Sequence, residues 1–169
     1  MAPEDLPQFL PRLEAAGALR RISASVDPVL EIAAIVDRVV RRPGGGPALL
    51  FERVTGSDFP LITNLYGSGQ RMAAALGHGS LEAASARIAS ALAATPEGFP
   101  AWRLEQACAS HHPRPVPASG LSHVVDTPDL GILPALHSWP DDGGRFLTLA
   151  QVFTRHPETL SSNCGLYRV

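Results

Sequence analysis

The chain has 169 residues with 14 basic against 16 acidic side chains, a formal charge of −2, and arginine at every basic position; this balance argues against a broad electropositive surface and a nucleic-acid partner. Cys108 and Cys164 show no CxxC spacing, so neither a disulfide framework nor a cysteine zinc site is indicated. With no long apolar run and no signal-type apolar segment after Met1, the expected setting is cytoplasmic, and the length suits one domain or a domain and part of a second.

Asp5 can cap a helix whose apolar positions Leu6, Phe9, Leu10 and Leu13 recur at helical spacing, with Gly17 at C′ and Pro11 expected to kink or shorten it. Leu19 to Val26 alternates loosely and suits an edge strand. Asp27-Pro28 then reads as an N-cap followed by proline at the first helical position, and Ile32, Val36, Val39 and Val40 form the apolar stripe of the helix. Arg41-Arg42 and Pro43 to Gly46 stop it.

Ala48 to Phe51 and Pro60 to Leu65 read as two strands. Gly67-Ser68-Gly69 leads into a short helix over Gln70 to Leu76; it lacks GxxxxGK[ST] and any lysine, so it reads as a strand-to-helix turn rather than a phosphate loop. Ser80 to Ala94 is an alanine-rich helix with Leu81, Ala84, Ile88 and Leu92 on one face. The prolines at 96, 100, 113, 115 and 117 mark residues 96–120 as a linker after an N-terminal α/β domain over residues 1–95. His111-His112 within it reads as a solvent-facing pair, since adjacent side chains rarely converge on one metal.

Leu121 to Val125 is expected to be a strand, and an apolar run from Asp129 leads to Trp139-Pro140. Asp141 to Gly144 makes a turn, after which a strand is expected from Arg145 to Val152; Arg155 to Thr159 turns again into a final strand at Asn163 to Arg168. Adjacent Asp141 and Asp142 are poor candidates for an acid/base pair, and His137 with Trp139 could line a pocket. On the last strand Asn163, Gly165 and Tyr167 share one face, Cys164, Leu166 and Arg168 the other, and the glycine would let a ring or phosphate come close to the backbone. Asn163 offers a neutral oxygen to a hard cation and Arg168 a donor fork to a carboxylate or phosphate; on spacing alone, hydrogen-bonding and surface roles suit both better.

DLPQFLPRLEAAGALRRI from Asp5, VDPVLEIAAIVDRV from Val26, GPALLFERV from Gly46, ITNLYGS from Ile62, ILPALHSWPDDGGRFLTLAQVFTRHPET from Ile132 and NCGLYR from Asn163 occur in the order seen in the UbiD family of reversible decarboxylases. The chain resembles the amino-terminal third of that family. The resemblance implies a small α/β domain followed, over residues 121–169, by the first strands of a split β-barrel of the flavin-binding type. It implies prenylated FMN as cofactor with a divalent metal, Mn2+ or Mg2+, and K+ as a further candidate ion. Asn163 matches a metal ligand, Arg168 the arginine of a Glu-Arg-Glu catalytic set, and Gly165, Leu166, Tyr167 and Arg168 the segment beside the cofactor. Arg145 stands where the family often has proline, and Cys164 where an aliphatic residue is more usual.

Family members continue well beyond the position of Arg168, and that stretch supplies the other metal ligands and both catalytic glutamates. The expectation is therefore part of a non-oxidative decarboxylase acting on aromatic or α,β-unsaturated carboxylic acids, inactive as the isolated chain. It would work as a homo-oligomer at full length, or with a complementing subunit. Ubiquinone biosynthesis and aromatic acid metabolism are the settings implied. The alternative is a non-catalytic interaction or scaffold domain retaining the family fold; a flavin-binding oxidoreductase on a related barrel is a third reading.

Overall fold

The computed structural model describes residues 2–3, 5–93, 127 and 129–169. The linker expected over 96–120, the strand expected at Leu121 to Val125, and the His111-His112 pair lie outside those residues. In chain order the elements are α1 (Leu6–Ala15), β1 (Leu19–Val26), α2 (Glu31–Val40), β2 (Ala48–Val54), β3 (Leu61–Thr63), α3 (Gly69–Ala75), α4 (Leu81–Ala93), β4 (Ala150–Arg155) and β5 (Ser162–Tyr167), with 3-10 turns at Pro43–Gly45 and Leu130–Ile132. The described parts of Met1–Ala16 and Tyr66–Pro128 form one compact unit, and Gly17–Leu65 with Asp129–Val169 form the other.

The first unit is helical, and short polar side chains open each helix. The Asp5 carboxylate accepts the Gln8 N–H at 2.8 Å, the Ser68 hydroxyl accepts the Arg71 N–H at 3.2 Å and the Ser80 hydroxyl accepts the Ala83 N–H at 3.1 Å. Each satisfies a donor that a helix start leaves unpaired. Pro11 does not shorten α1, which runs to Ala15, and Gly17 follows in the left-handed region at φ +67°. Gly67-Ser68-Gly69 is thus a turn closed by its own serine. The Arg71 side chain is buried, and that burial lowers its guanidinium pKa. The α4 stripe is narrower than its sequence suggests: Ala84 is buried and Ile88 exposed.

The second unit is built on β2. This strand lies between β1, its parallel neighbour, and β3, its antiparallel one, which leaves β1 at an edge as its alternation suggested. Parallel neighbours need a crossover, and α2 supplies it. Ala48, Leu49, Leu50 and Phe51 are all buried, as an unbroken apolar run on a central strand should be. Val26, Ile32, Val39, Leu49, Phe51 and Val54 form the core, and Leu136 from the distant C-terminal segment packs against it.

The start of α2 departs from the expectation. Asp27 is not its N-cap: the helix begins at Glu31 after Leu30, whose φ is +65°. Val29 is instead drawn into a parallel bridge with His137, in which the His137 N–H donates to the Pro28 carbonyl at 3.1 Å and the Leu30 N–H to the His137 carbonyl at 2.9 Å. Asp27 still organises the entry, accepting the Val29 N–H at 2.7 Å while the Glu31 carboxylate accepts the Asp27 N–H at 2.7 Å. Ile35 and Val36 pack against the core and Val40 is exposed.

At its other end α2 is closed by the glycine loop. Asn64, at φ +54°, donates its side-chain amide to the Gly45 and Pro47 carbonyls at 2.8 and 2.9 Å and so ties the loop to β3. A Cβ on Gly46 (φ +60°) would stand 2.5 Å from the Val39 carbonyl oxygen, whereas one on Gly44 (φ +74°) would meet nothing within 4 Å. Gly44→Ala should therefore cost about 1–2 kcal/mol of unfolding free energy, the left-handed penalty alone. Gly46→Ala should cost more than about 3 kcal/mol, because the backbone strain is compounded by collision with main-chain atoms. Urea denaturation of the two variants checks this, and equal losses would refute it.

Candidate active site on the final strand

The polar groups singled out in the sequence lie on and just beyond β5, so the pairing of β5 decides what they can do. It runs antiparallel to β4 with Ala150 opposite Tyr167, Val152 opposite Gly165 and Thr154 opposite Asn163. Opposed residues share a face, which puts Asn163, Gly165 and Tyr167 on one side and Cys164 and Leu166 on the other. The strand expected from Arg145 begins only at Ala150. Phe146 pairs with Leu136 instead, and Leu147 with Val169, so the segment before β4 serves different partners residue by residue.

The connection between β4 and β5 closes on His156, whose Nδ1 accepts the N–H groups of Glu158 and Thr159 at 3.2 Å each. Asp142, before β4, is structural too. The Asp142 carboxylate accepts the N–H groups of Ser138 and Trp139 at 3.3 and 3.0 Å, and Trp139 itself is exposed rather than lining a pocket with His137.

On the Asn163 face, Gly165 has the close neighbour its lack of a side chain invites. A Cβ there would stand 2.5 Å from Tyr167 Cε2 and 3.0 Å from its hydroxyl oxygen, so the tyrosine ring lies across the bare backbone. The Asn163 amide nitrogen reaches that hydroxyl at 3.4 Å. The amide is turned along the strand, and its carbonyl oxygen remains available as an acceptor. On the other face Phe153 and Leu166 are each 74% exposed, and Gln151 donates to the Cys164 sulfur at 3.2 Å. Leu166 therefore does not join Asn163, Gly165 and Tyr167.

Arg168 lies just past the strand, with its guanidinium carbon 4.0 Å from the centroid of the Phe146 ring. Among the described residues no carboxylate pairs with it. The partner of this cation among the described residues is thus a ring and not an acid.

Whether a divalent metal fits depends on the donors. Asn163 and its neighbour Thr154 bring only neutral oxygens, and among the described residues no three His, Cys, Asp or Glu side chains converge as a metal group. Such a set falls short of a Mg2+ or Mn2+ site, which needs carboxylate or imidazole ligands as well. For a flavin the strand suits better, since an exposed segment with a glycine between polar groups offers a flat approach to the backbone once the Tyr167 ring moves aside.

The family model for the 3-octaprenyl-4-hydroxybenzoate carboxy-lyase N-terminal domain matches residues 10–97, and that for the Rift-related domain of the same carboxy-lyase matches residues 113–169. The chain belongs to the UbiD family. It is 39% identical to an uncharacterized protein of Aquifex aeolicus over 98% of this chain and 35% of that protein. Among solved structures it is similar to an evolved dimeric form of the UbiD-class enzyme HmfF from Pelotomaculum thermopropionicum in complex with prFMN, with a TM-score of 0.71, 27% identity and coverage of 98% of this chain and 35% of that one. It is also similar to the vanillic acid decarboxylase of Sedimentibacter hydroxybenzoicus in closed form, with a TM-score of 0.78, 26% identity and coverage of 99% and 35%. This UbiD-family chain thus spans about a third of the length of the relatives it matches. None of its described helices is long and apolar enough to cross a membrane.

Phe146 is the residue that reading the sequence missed. Alternation makes it one position in a regular strand, and no local pattern links it to Arg168. The packing of Tyr167 on Gly165 has a direct spectroscopic consequence. The Gly165 Hα resonances should lie upfield under the ring current and return toward ordinary values in Tyr167→Leu, read by proton NMR; unchanged shifts would contradict the contact.

Proposed function

We propose that this segment supplies part of the cofactor and substrate site of a prenylated-FMN-dependent decarboxylase acting on aromatic or α,β-unsaturated carboxylic acids. What carries the reading is a strand presenting Asn163 and Gly165 on one exposed face, with an arginine just past its end that pairs with no carboxylate among the described residues. It is supported by the family match across both parts of the chain and by similarity to a prFMN-bound UbiD-class enzyme and a vanillic acid decarboxylase. In this reading the described part of residues 129–169 belongs to the opening strands of a split, flavin-binding barrel.

Arg168 is the catalytic residue: its fork of in-plane donors holds the substrate carboxylate and fixes the carbon bearing it. Gly165 gives the cofactor ring room against the backbone, with Tyr167 beside it on the same face. Asn163 contributes one neutral oxygen to a metal whose remaining ligands lie outside the described residues. Bound prenylated FMN supplies the covalent chemistry of carbon–carbon cleavage. The residues here bind and orient; none of them is placed to deliver the proton that must replace carbon dioxide, so the acid has to come from elsewhere in the complete site.

Three outcomes follow. The 169-residue chain alone, given prenylated FMN and Mn2+, should release no carbon dioxide from benzoic or cinnamic acids, and measurable turnover would overturn that expectation. In the longer protein that carries this segment, Arg168→Ala should lower kcat/KM roughly 10²- to 10³-fold, the cost of leaving a buried carboxylate without its charged partner. Asn163→Ala should leave less Mn2+ bound after dialysis, measured by metal analysis. Unaltered activity and metal content in both variants would favour a scaffold role instead.

A further inference from the structure

Arg168 raises a physical problem. A long charged side chain samples many rotamers, and a donor fork that must meet a carboxylate in one plane loses binding free energy each time it has to be ordered. The structure holds this one against the Phe146 ring, 4.0 Å from guanidinium carbon to ring centroid. Stacking uses the face of the guanidinium and leaves the donors in its plane unspent, so a ring can fix an arginine without competing for its hydrogen bonds.

The ring is itself held from both sides. The Phe146 N–H donates to the Leu136 carbonyl at 2.8 Å and receives the Leu136 N–H on its own carbonyl at 3.2 Å. One residue on, Leu147 and Val169 exchange N–H to carbonyl bonds at 2.7 and 3.1 Å. Phe146 and Arg168 are therefore the chain neighbours of a doubly bonded pair, and their backbones cannot drift apart without breaking it. Leu136 in turn packs on the core of the α/β sheet.

We infer that Phe146 is a positioning residue for Arg168, an aromatic plate that presents the guanidinium edge-on to a substrate carboxylate. The inference rests on the reading of Arg168 as the carboxylate-binding residue. It assigns Phe146 no contact with substrate, and its effect runs wholly through the arginine.

The test uses the longer protein carrying this segment, with its cofactor, and follows binding of benzoate, 4-hydroxybenzoate and cinnamate by calorimetry, keeping the tightest of the three as probe. Phe146→Leu removes the ring face and should weaken the probe roughly two- to five-fold, the range a partly exposed cation–aromatic contact supports. Phe146→Tyr keeps the face and should bind as the parent does. Arg168→Ala should lose most of the affinity, and adding Phe146→Leu to it should cost nothing further, because the plate then has nothing to hold. Equal affinity of the parent and Phe146→Leu, or an undiminished effect of Phe146→Leu in the Arg168→Ala background, would overturn the role of Phe146. A parent protein that takes up none of the three acids, or an Arg168→Ala variant that binds as the parent does, would instead overturn the reading of Arg168.

Discussion

The bridge between Val29 and His137 is the constraint on which most of the second unit depends. It takes main-chain groups from the entry to α2 and gives them to a residue more than a hundred positions away, and the next residues repeat the device. His137 bonds Pro28 and Leu30, Leu136 bonds Phe146, and Leu147 bonds Val169. Each bridge is short, yet together they form a ladder from the buried sheet to the end of the final strand. Without it, β4 and β5 would be a lone two-stranded hairpin, which is marginal in water at best. With it, the residue after the hairpin is referenced to Ile32 and Phe51 through Leu136, which packs on the core they belong to.

That ladder also explains which parts of the fold could be read from sequence. The α1 cap at Asp5, the edge strand at Leu19–Val26, the central strand beginning at Ala48 and the glycine stop after α2 all follow from local chemistry, and local chemistry decides them. Asp27-Pro28 carries an equally clear local signal for a helix start and is overruled, because a long-range pairing at Val29 satisfies main-chain groups that the helix would otherwise have used. The same competition delays β4: Phe146 alternates correctly for a strand from Arg145, but its partner is Leu136 rather than anything on β5. Period-two patterns show which side chains alternate; they do not say with whom each backbone group pairs.

The candidate site divides along the same line. Because alternation is local, the common face of Asn163, Gly165 and Tyr167 was legible, and so was the expectation that something flat would come against Gly165. What comes against it here is the chain's own tyrosine, which sequence did not indicate. The pairing of Arg168 with Phe146 was not legible at all, since a ring and a guanidinium carry no mutual spacing signature when the contact crosses two bridges.

The exposed apolar residues of the hairpin can be weighed against this. Phe153 and Leu166 lie opposite to the Asn163 face, and side chains of that size have a large free-energy incentive to be covered, on the order of 1.5–3 kcal/mol each. The Asn163 face has little such incentive, because Tyr167 already covers the one gap in it. Packing of further structure should therefore fall first on the Phe153 and Leu166 side, leaving the polar face open. A strand that buries one face and keeps the Asn163 amide and Gly165 at the other holds polar groups rigidly beside a space that a ligand can fill. That division follows from alternation on β5 and from the ladder that fixes its end.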